Sequence, residues 1–233
     1  MKIAGIDLGS NTFLCLIGET SGGKFTVIED IVETVRLGQG IDQSKHFHPD
    51  ALKRADICLG RFREKLNHYH VKRVAVAATS AARDAQNRED LFSIGRKHGF
   101  DIQIIDGHRE AEISFRGACF GLNPEGSYLV VDVGGGSTEL VLGDHHGLKF
   151  KTSLNIGGVR LRERYVGNYP VELKDLVLLR KVIAQEVHKA TFAGMTDRTE
   201  IIAVAGTPTT LAALAVGGYS EEKVNGFKLQ RED

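Results

Sequence analysis

Two short segments hold most of the chemistry this sequence can do. Asp7-Leu8-Gly9-Ser10-Asn11-Thr12 and Asp132-Val133-Gly134-Gly135-Gly136-Ser137-Thr138 each place an acidic residue ahead of a turn built from glycine and hydroxyl residues. Glycines lack a Cβ, so their backbone N–H groups can approach a phosphate closely, and serine or threonine hydroxyls add donors. An aspartate at a strand end can hold Mg2+ directly or through water. Either turn alone reads as an ordinary hairpin. Two of them, each following a strand-like run and an aspartate, read as paired phosphate-binding turns.

Two further segments have the same character. Thr79-Ser80-Ala81-Ala82-Arg83 follows an apolar strand-like run and opens a helix, so its N–H groups can form an anion nest with Arg83 gripping phosphate. The plain alternative is a helix N-cap by Thr79 or Ser80. Gly206-Thr207-Pro208-Thr209 is its counterpart. Glu110 falls in the first turn of a helix, where the dipole favours a carboxylate, and Ser114, Gly117 and Gly121 share its stripe. Glu139 lies on the strand after the second glycine turn, seven residues past Asp132. The histidine pairs His46/His48, His68/His70 and His145/His146 have no carboxylate at a ligand spacing and read as solvated surface residues. There is no Gly-x-x-x-x-Gly-Lys-Ser/Thr P-loop, and no Gly-x-Gly-x-x-Gly opening a helix.

The elements that position these groups repeat. Asp7 and Asp132 are 125 positions apart, and the runs Ala75–Ser80 and Ala203–Pro208 match at an offset of 128. The sequence therefore reads as two related α/β lobes, 1–122 and 124–233, joined at 123–126. In the first, helix 49–67 opens on Pro49 and carries the stripe Leu52, Ala55, Leu59, Phe62 and Leu66. Helix 88–97, strand 101–105 and helix 108–121 follow. In that last helix Ala111, Phe115, Ala118, Cys119 and Leu122 share an apolar face. The second lobe repeats the scheme with strands 127–132, 138–143, 148–154 and 200–205 and helices 158–165, 172–190 and 208–215. By the repeat it is one strand and one helix short, and its C-terminal part reads as truncated.

Composition bounds the function. The 233 residues are 42% hydrophobic and 26% charged, as in an ordinary globular protein. Thirty basic and thirty acidic residues give zero net charge, which argues against a whole-surface nucleic-acid binder. Arg36, Arg83, Arg109, Arg116 and Arg160 can still concentrate positive charge locally. No apolar run approaches the ~18 residues of a membrane span, and no leader segment is expected. Cys15, Cys58 and Cys119 suit a reducing cytoplasm and not a disulfide framework. A homodimer is left open.

Taken in order, the segments Gly5–Phe13, Val35–Gly40, Ala78–Arg83, Gly107–Ala111, Val131–Glu139, Ile156–Leu161 and Ala205–Leu211 resemble the exopolyphosphatase / guanosine pentaphosphate phosphohydrolase family, within the actin-like ATPase superfamily. The resemblance implies duplicated ribonuclease H-like lobes with a cleft between them. It implies a hydrolase of terminal phosphoanhydrides, with inorganic polyphosphate or guanosine penta- or tetraphosphate as substrate and Mg2+ as cofactor. Glu110 falls at the family's catalytic glutamate. Asp132 and Glu139 are implicated in catalysis and in holding the metal, with Asp7 as a further metal ligand. Ser10, Asn11, Thr79, Ser80, Arg83, Gly134, Gly135, Gly136, Ser137 and Gly206 would hold phosphates. The competing classes are an ATPase or kinase of the same fold and a non-catalytic polyphosphate or alarmone sensor.

Overall fold

The computed structural model describes residues 1–144, 146–190 and 195–230. The chain divides into two units, Met1–Asp106 and Gly107–Asp233.

The first unit begins with three strands, β1 (Lys2–Leu8), β2 (Thr12–Ser21) and β3 (Lys24–Thr34). A short turn of helix, α1 (Ile41–Ser44), leads to α2 (Pro49–His68). Then come β4 (Arg73–Ala78), α3 (Ser80–Asp84), α4 (Arg88–Lys97) and β5 (Ile102–Ile104). The sheet order is β3-β2-β1-β4-β5, antiparallel through the first three strands and parallel from β1 to β5. Alternation builds its core: Ala4, Ile6 and Leu8 on β1 and Phe13, Cys15 and Ile17 on β2 are all buried. Against them α2 lays Ala55, Leu59, Phe62 and Leu66 of the stripe read from its spacing, together with Cys58, while Leu52 is only partly buried. Pro49 is the first residue of α2, and His48 Nδ1 accepts the Asp50 N–H as the cap.

The second unit opens on α5 (Gly107–Ala118), followed by β6 (Ser127–Val133), β7 (Thr138–Asp144) and β8 (Gly147–Leu154). Helices α6 (Gly158–Tyr165) and α7 (Leu173–Val187), strand β9 (Thr199–Val204), and helices α8 (Gly206–Ala215) and α9 (Glu221–Val224) complete it. Its sheet, β8-β7-β6-β9, has the same order and directions as the first four strands of the other unit. The ribonuclease H-like arrangement is thus present twice, with one strand fewer in the second sheet among the described residues.

Two readings are corrected. Helix 108–121 was expected to close the first lobe. It packs instead on the second sheet as α5, because Ala111 and Phe115 bury against Tyr128, Val130 and Val141. The joint expected at 123–126 therefore lies inside the second unit. The helix also ends at Ala118: Gly121 has φ +81°, which an α-helix does not admit, and Leu122 is exposed rather than part of the apolar face. No helix among the described residues is long and apolar enough to cross a membrane.

Candidate active site

In the second unit, strand pairing sets Asp132 directly opposite Glu139, so two carboxylates stand side by side on β6 and β7. The β7–β8 register places Ser153 on the other side of Glu139. Helix α5 lies over these strands, and its four-residue spacing brings Glu110 and Ser114 to one face. Two serine hydroxyls hold the strand carboxylates. Ser114 Oγ donates to Asp132 Oδ2 at 2.6 Å, and Ser153 Oγ donates to Glu139 Oε1 at 2.7 Å.

Glu139 is 2% exposed. Burial foremost, then the Glu110 and Asp132 charges, push its carboxyl up to about 8, against the pull of the Ser153 and Ser137 hydroxyls. Burial also raises Asp132, partly offset by Ser114. The neighbouring Glu112 behaves oppositely: hydrogen bonds from Lys151 and Arg109 lower its carboxyl, which is tied up in ion pairs.

Beside the carboxylates, the glycine turn is gripped through its carbonyls. Gly158 N–H donates to Gly134 O at 3.0 Å, and Val159 and Arg160 N–H donate to Gly135 O at 2.9 and 3.0 Å. Arg160 Nε donates to Gly136 O at 2.7 Å. The start of α6 thus satisfies its orphan N–H groups on this turn instead of facing solvent. Among the described residues, the Gly135 and Gly136 N–H groups donate to no backbone carbonyl. That leaves them as anion donors of the nest kind. Arg160, read from sequence as part of a local positive charge, is 7% exposed and serves the turn. Ser137 is buried beside Glu139. Thr207 Oγ1 lies 3.9 Å from where a Cβ on Gly158 would project, which brings the Gly206 turn alongside.

This grip depends on Gly157. A Cβ there would stand 2.6 Å from the Gly135 carbonyl carbon and oxygen and 2.7 Å from Gly136 N, all backbone atoms that cannot step aside. Gly157→Ala is expected to cost roughly 1–3 kcal/mol of stability, as overpacking does, and to displace the turn. Thermal melts of the two proteins check this; an unchanged midpoint would contradict it.

The first unit repeats the device with its own residues. Gly38 N–H donates to Ser10 O at 2.7 Å, and Val35 and Arg36 N–H donate to Asn11 O at 3.0 and 2.7 Å. Arg54 Nε donates to Val35 O at 2.6 Å, bracing that strap from behind. The structure brings Ser10, Thr79 and Ser80 together, all buried. The side-chain cap expected from Thr79 or Ser80 does not form at α3; Ser10 Oγ accepts the Ala81 N–H at 3.2 Å. Arg83 spends one guanidinium edge on Ile105 O, with Nη1 at 2.9 Å. Asp7 is the last residue but one of this unit's β1, as Asp132 is of β6, and each pairs with the residue seven positions on across its hairpin. Among the described residues no three His, Cys, Asp or Glu side chains stand close enough to hold a metal by themselves. His145 lies outside the described residues.

A sequence model of the Ppx/GppA phosphatase family matches residues 16–229. The chain belongs to this family. Exopolyphosphatase 2 of Mycobacterium tuberculosis is 36% identical over 226 residues, spanning 92% of this chain and 70% of that protein. The guanosine-5'-triphosphate,3'-diphosphate pyrophosphatase of Vibrio atlanticus is 30% identical over 98% of this chain and 46% of its own length. Among solved structures, an exopolyphosphatase from Cytophaga hutchinsonii superposes with a TM-score of 0.85 at 30% identity, covering 96% of this chain and 74% of that one. As a Ppx/GppA chain it is a member of a family of phosphoanhydride hydrolases.

Sequence reasoning missed Ser153 and underread Ser114, which it took only as a small residue. The spacing shows that Ser114 sits one helical turn past Glu110, but not that it meets Asp132. Ser153 was not findable, because a bulge between Leu142 and Gly143 shifts the β7–β8 register.

Proposed function

We propose that this chain hydrolyses the terminal phosphoanhydride of inorganic polyphosphate or of guanosine pentaphosphate, with Mg2+ as cofactor. The observation that carries the reading is the meeting of Glu110, Asp132 and Glu139 beside a glycine turn whose carbonyls are engaged and whose Gly135 and Gly136 N–H groups donate to no backbone carbonyl.

Glu110 accepts a proton from the attacking water. The water oxygen bonds to the terminal phosphorus as the bond to the bridging oxygen breaks, and the shortened chain leaves with that electron pair. N–H groups of Gly135 and Gly136 face the charge that grows on the phosphoryl oxygens. In the second unit Ser137 and Gly206 contact further phosphate oxygens; in the first unit Ser10, Asn11, Thr79, Ser80 and Arg83 form a phosphate-binding turn of the same kind. The carboxylates suit Mg2+, which takes one or two of them together with substrate phosphates and keeps several waters. Asp132 and Glu139 would hold it; Asp7 is the corresponding carboxylate of the first unit's own turn. When bound, Mg2+ would supply charge neutralisation to these carboxylates. Support for the substrate class comes from the relatives' names, which include both an exopolyphosphatase and a guanosine-5'-triphosphate,3'-diphosphate pyrophosphatase.

Phosphate release from long-chain polyphosphate and from guanosine pentaphosphate, measured side by side, tests the reading and ranks the two substrates. ATP turnover that requires a sugar acceptor would replace it with the kinase reading. Binding of either polyanion without turnover would replace it with the sensor reading.

Arg83→Ala is expected to weaken substrate binding by roughly 1.5–3 kcal/mol, the range for a hydrogen bond to a charged group, seen as a raised KM. It also loses the bond to Ile105 O, about 1 kcal/mol of stability. Unchanged KM and kcat would reduce Arg83 to that structural bond.

A further inference from the structure

Apolar packing, an ion pair and a hydrogen bond to the acidic cluster join helix α5 to its sheet among the described residues. Ala111 and Phe115 are buried among Tyr128, Val130 and Val141. Gly143 makes room for the Phe115 ring, because a Cβ there would come within 2.8 Å of its Cζ. Glu112 pairs with Lys151 of β8 at the partly exposed edge. Apolar packing is non-directional, and a partly exposed ion pair carried on a long lysine side chain tolerates movement. Neither fixes the rotation of the helix about its own axis to the fraction of an ångström that general-base chemistry requires.

The third contact is directional. Ser114 Oγ donates to Asp132 Oδ2 at 2.6 Å, a short charge-assisted bond. It joins α5, one turn past Glu110, to the end of β6. We infer that Ser114 is a positioning residue of this active site: its hydroxyl sets the rotation of the helix carrying Glu110 and at the same time fixes the orientation of the Asp132 carboxylate. The inference rests on the functional reading of Glu110 and Asp132 given above.

One feature separates this role from ordinary packing. Ser114 is not part of the buried apolar cluster beneath α5, so removing its hydroxyl leaves that cluster whole. The apolar cluster keeps the helix on the sheet, and the hydroxyl restrains its local motion and geometry.

The test compares Ser114→Ala and Ser114→Thr in the full chain. Ser114→Ala is expected to lower kcat on polyphosphate roughly 10–100-fold, the order of loss for a misplaced catalytic group. KM should stay within about twofold, because substrate phosphates contact other residues, a split in keeping with an interaction made in the transition state. Ser114→Thr, which keeps the hydroxyl, should restore most of the rate. Hydrogen–deuterium exchange supplies a readout independent of turnover. The α5 amides should lose protection in Ser114→Ala and regain it in Ser114→Thr, while those of β1 and α2 stay unchanged. A kcat within twofold of wild type in folded Ser114→Ala overturns the inference. So does a loss that Ser114→Thr leaves unrescued, or one that follows a fall in melting temperature. If the wild-type chain releases no phosphate from either substrate, the functional reading falls by itself. The exchange comparison then decides alone, and unchanged α5 protection in Ser114→Ala overturns the latch.

Discussion

Glu110→Gln should lower phosphate release roughly 10²–10⁴-fold, the span that a positioned general base contributes. The amide keeps the size and shape of the carboxylate but accepts no proton from water. Folding should be little changed, since Glu110 is only partly buried in the first turn of α5 and Ala111 and Phe115 anchor that helix. Substrate binding should persist or tighten, because removing a negative charge lessens repulsion of a polyanion. The result therefore falls on kcat and not on KM. Glu112→Gln is the control. Its carboxylate serves Lys151 and Arg109 at the surface, so its loss costs at most a fraction of a kcal/mol and leaves turnover intact. Steady-state kinetics of the two variants decide. If Glu112→Gln loses the activity and Glu110→Gln keeps it, Glu110 is not the base, and the site must be redrawn around Glu112.

Glu139→Gln should both abolish most activity and stabilise the metal-free protein at alkaline pH. In the folded chain burial and the Glu110 charge raise this carboxyl from the ordinary 4.5 to about 8. Between those values the folded state binds more protons than the unfolded state, so stability falls as pH rises. The favourable contribution is fully present below about 4.5 and is lost as pH climbs through about 8. A carboxyl held one pH unit above its ordinary value corresponds to about 1.4 kcal/mol. The burden is shared with Glu110 and Asp132, so the effect is on the order of a few kcal/mol. Glutamine removes the charge but can still accept the Ser153 hydrogen bond. The variant's melting temperature should therefore exceed that of the wild type at pH 8 and match it near pH 4.5. Added Mg2+ should reverse the order, stabilising the wild type more at pH 8 than at pH 5 and the variant little at either. Parallel melting curves for the two proteins across this range would contradict the picture.

Periodicity and turn chemistry carry far in this sequence, and the places where they stop have physical causes. Helices 88–97 and 158–165 coincide with α4 and α6. The duplicate offset of the two Asp-glycine segments anticipates two sheets of matching strand order. The stripe Ala55, Leu59, Phe62 and Leu66 is buried because its 4-3-4 spacing dictates one helical face. Such spacing tells which face of α5 is apolar but not which sheet receives it, and α5 belongs to the unit that follows it. Charge is similarly mute about direction: Arg160 counts as one more cation in the sequence, yet its guanidinium is buried against a glycine carbonyl. In the acidic cluster the carboxylates were legible from their motif and the hydroxyls that orient them were not. Ser153 reaches Glu139 only through a bulged hairpin register, and Ser114 reaches Asp132 only once α5 has packed on β6.

The central claim is that water, activated at Glu110, attacks the terminal phosphorus of a phosphoanhydride chain. Hydrolysis of long-chain polyphosphate in ¹⁸O-labelled water with Mg2+, followed by mass analysis of the products, tests it most directly. Expected are inorganic phosphate in which each released molecule carries one labelled oxygen, unlabelled residual chains, and loss of this product in Glu110→Gln. Release of unlabelled phosphate, transfer of the phosphoryl group to an acceptor other than water, or full labelling by Glu110→Gln at the wild-type rate would contradict it.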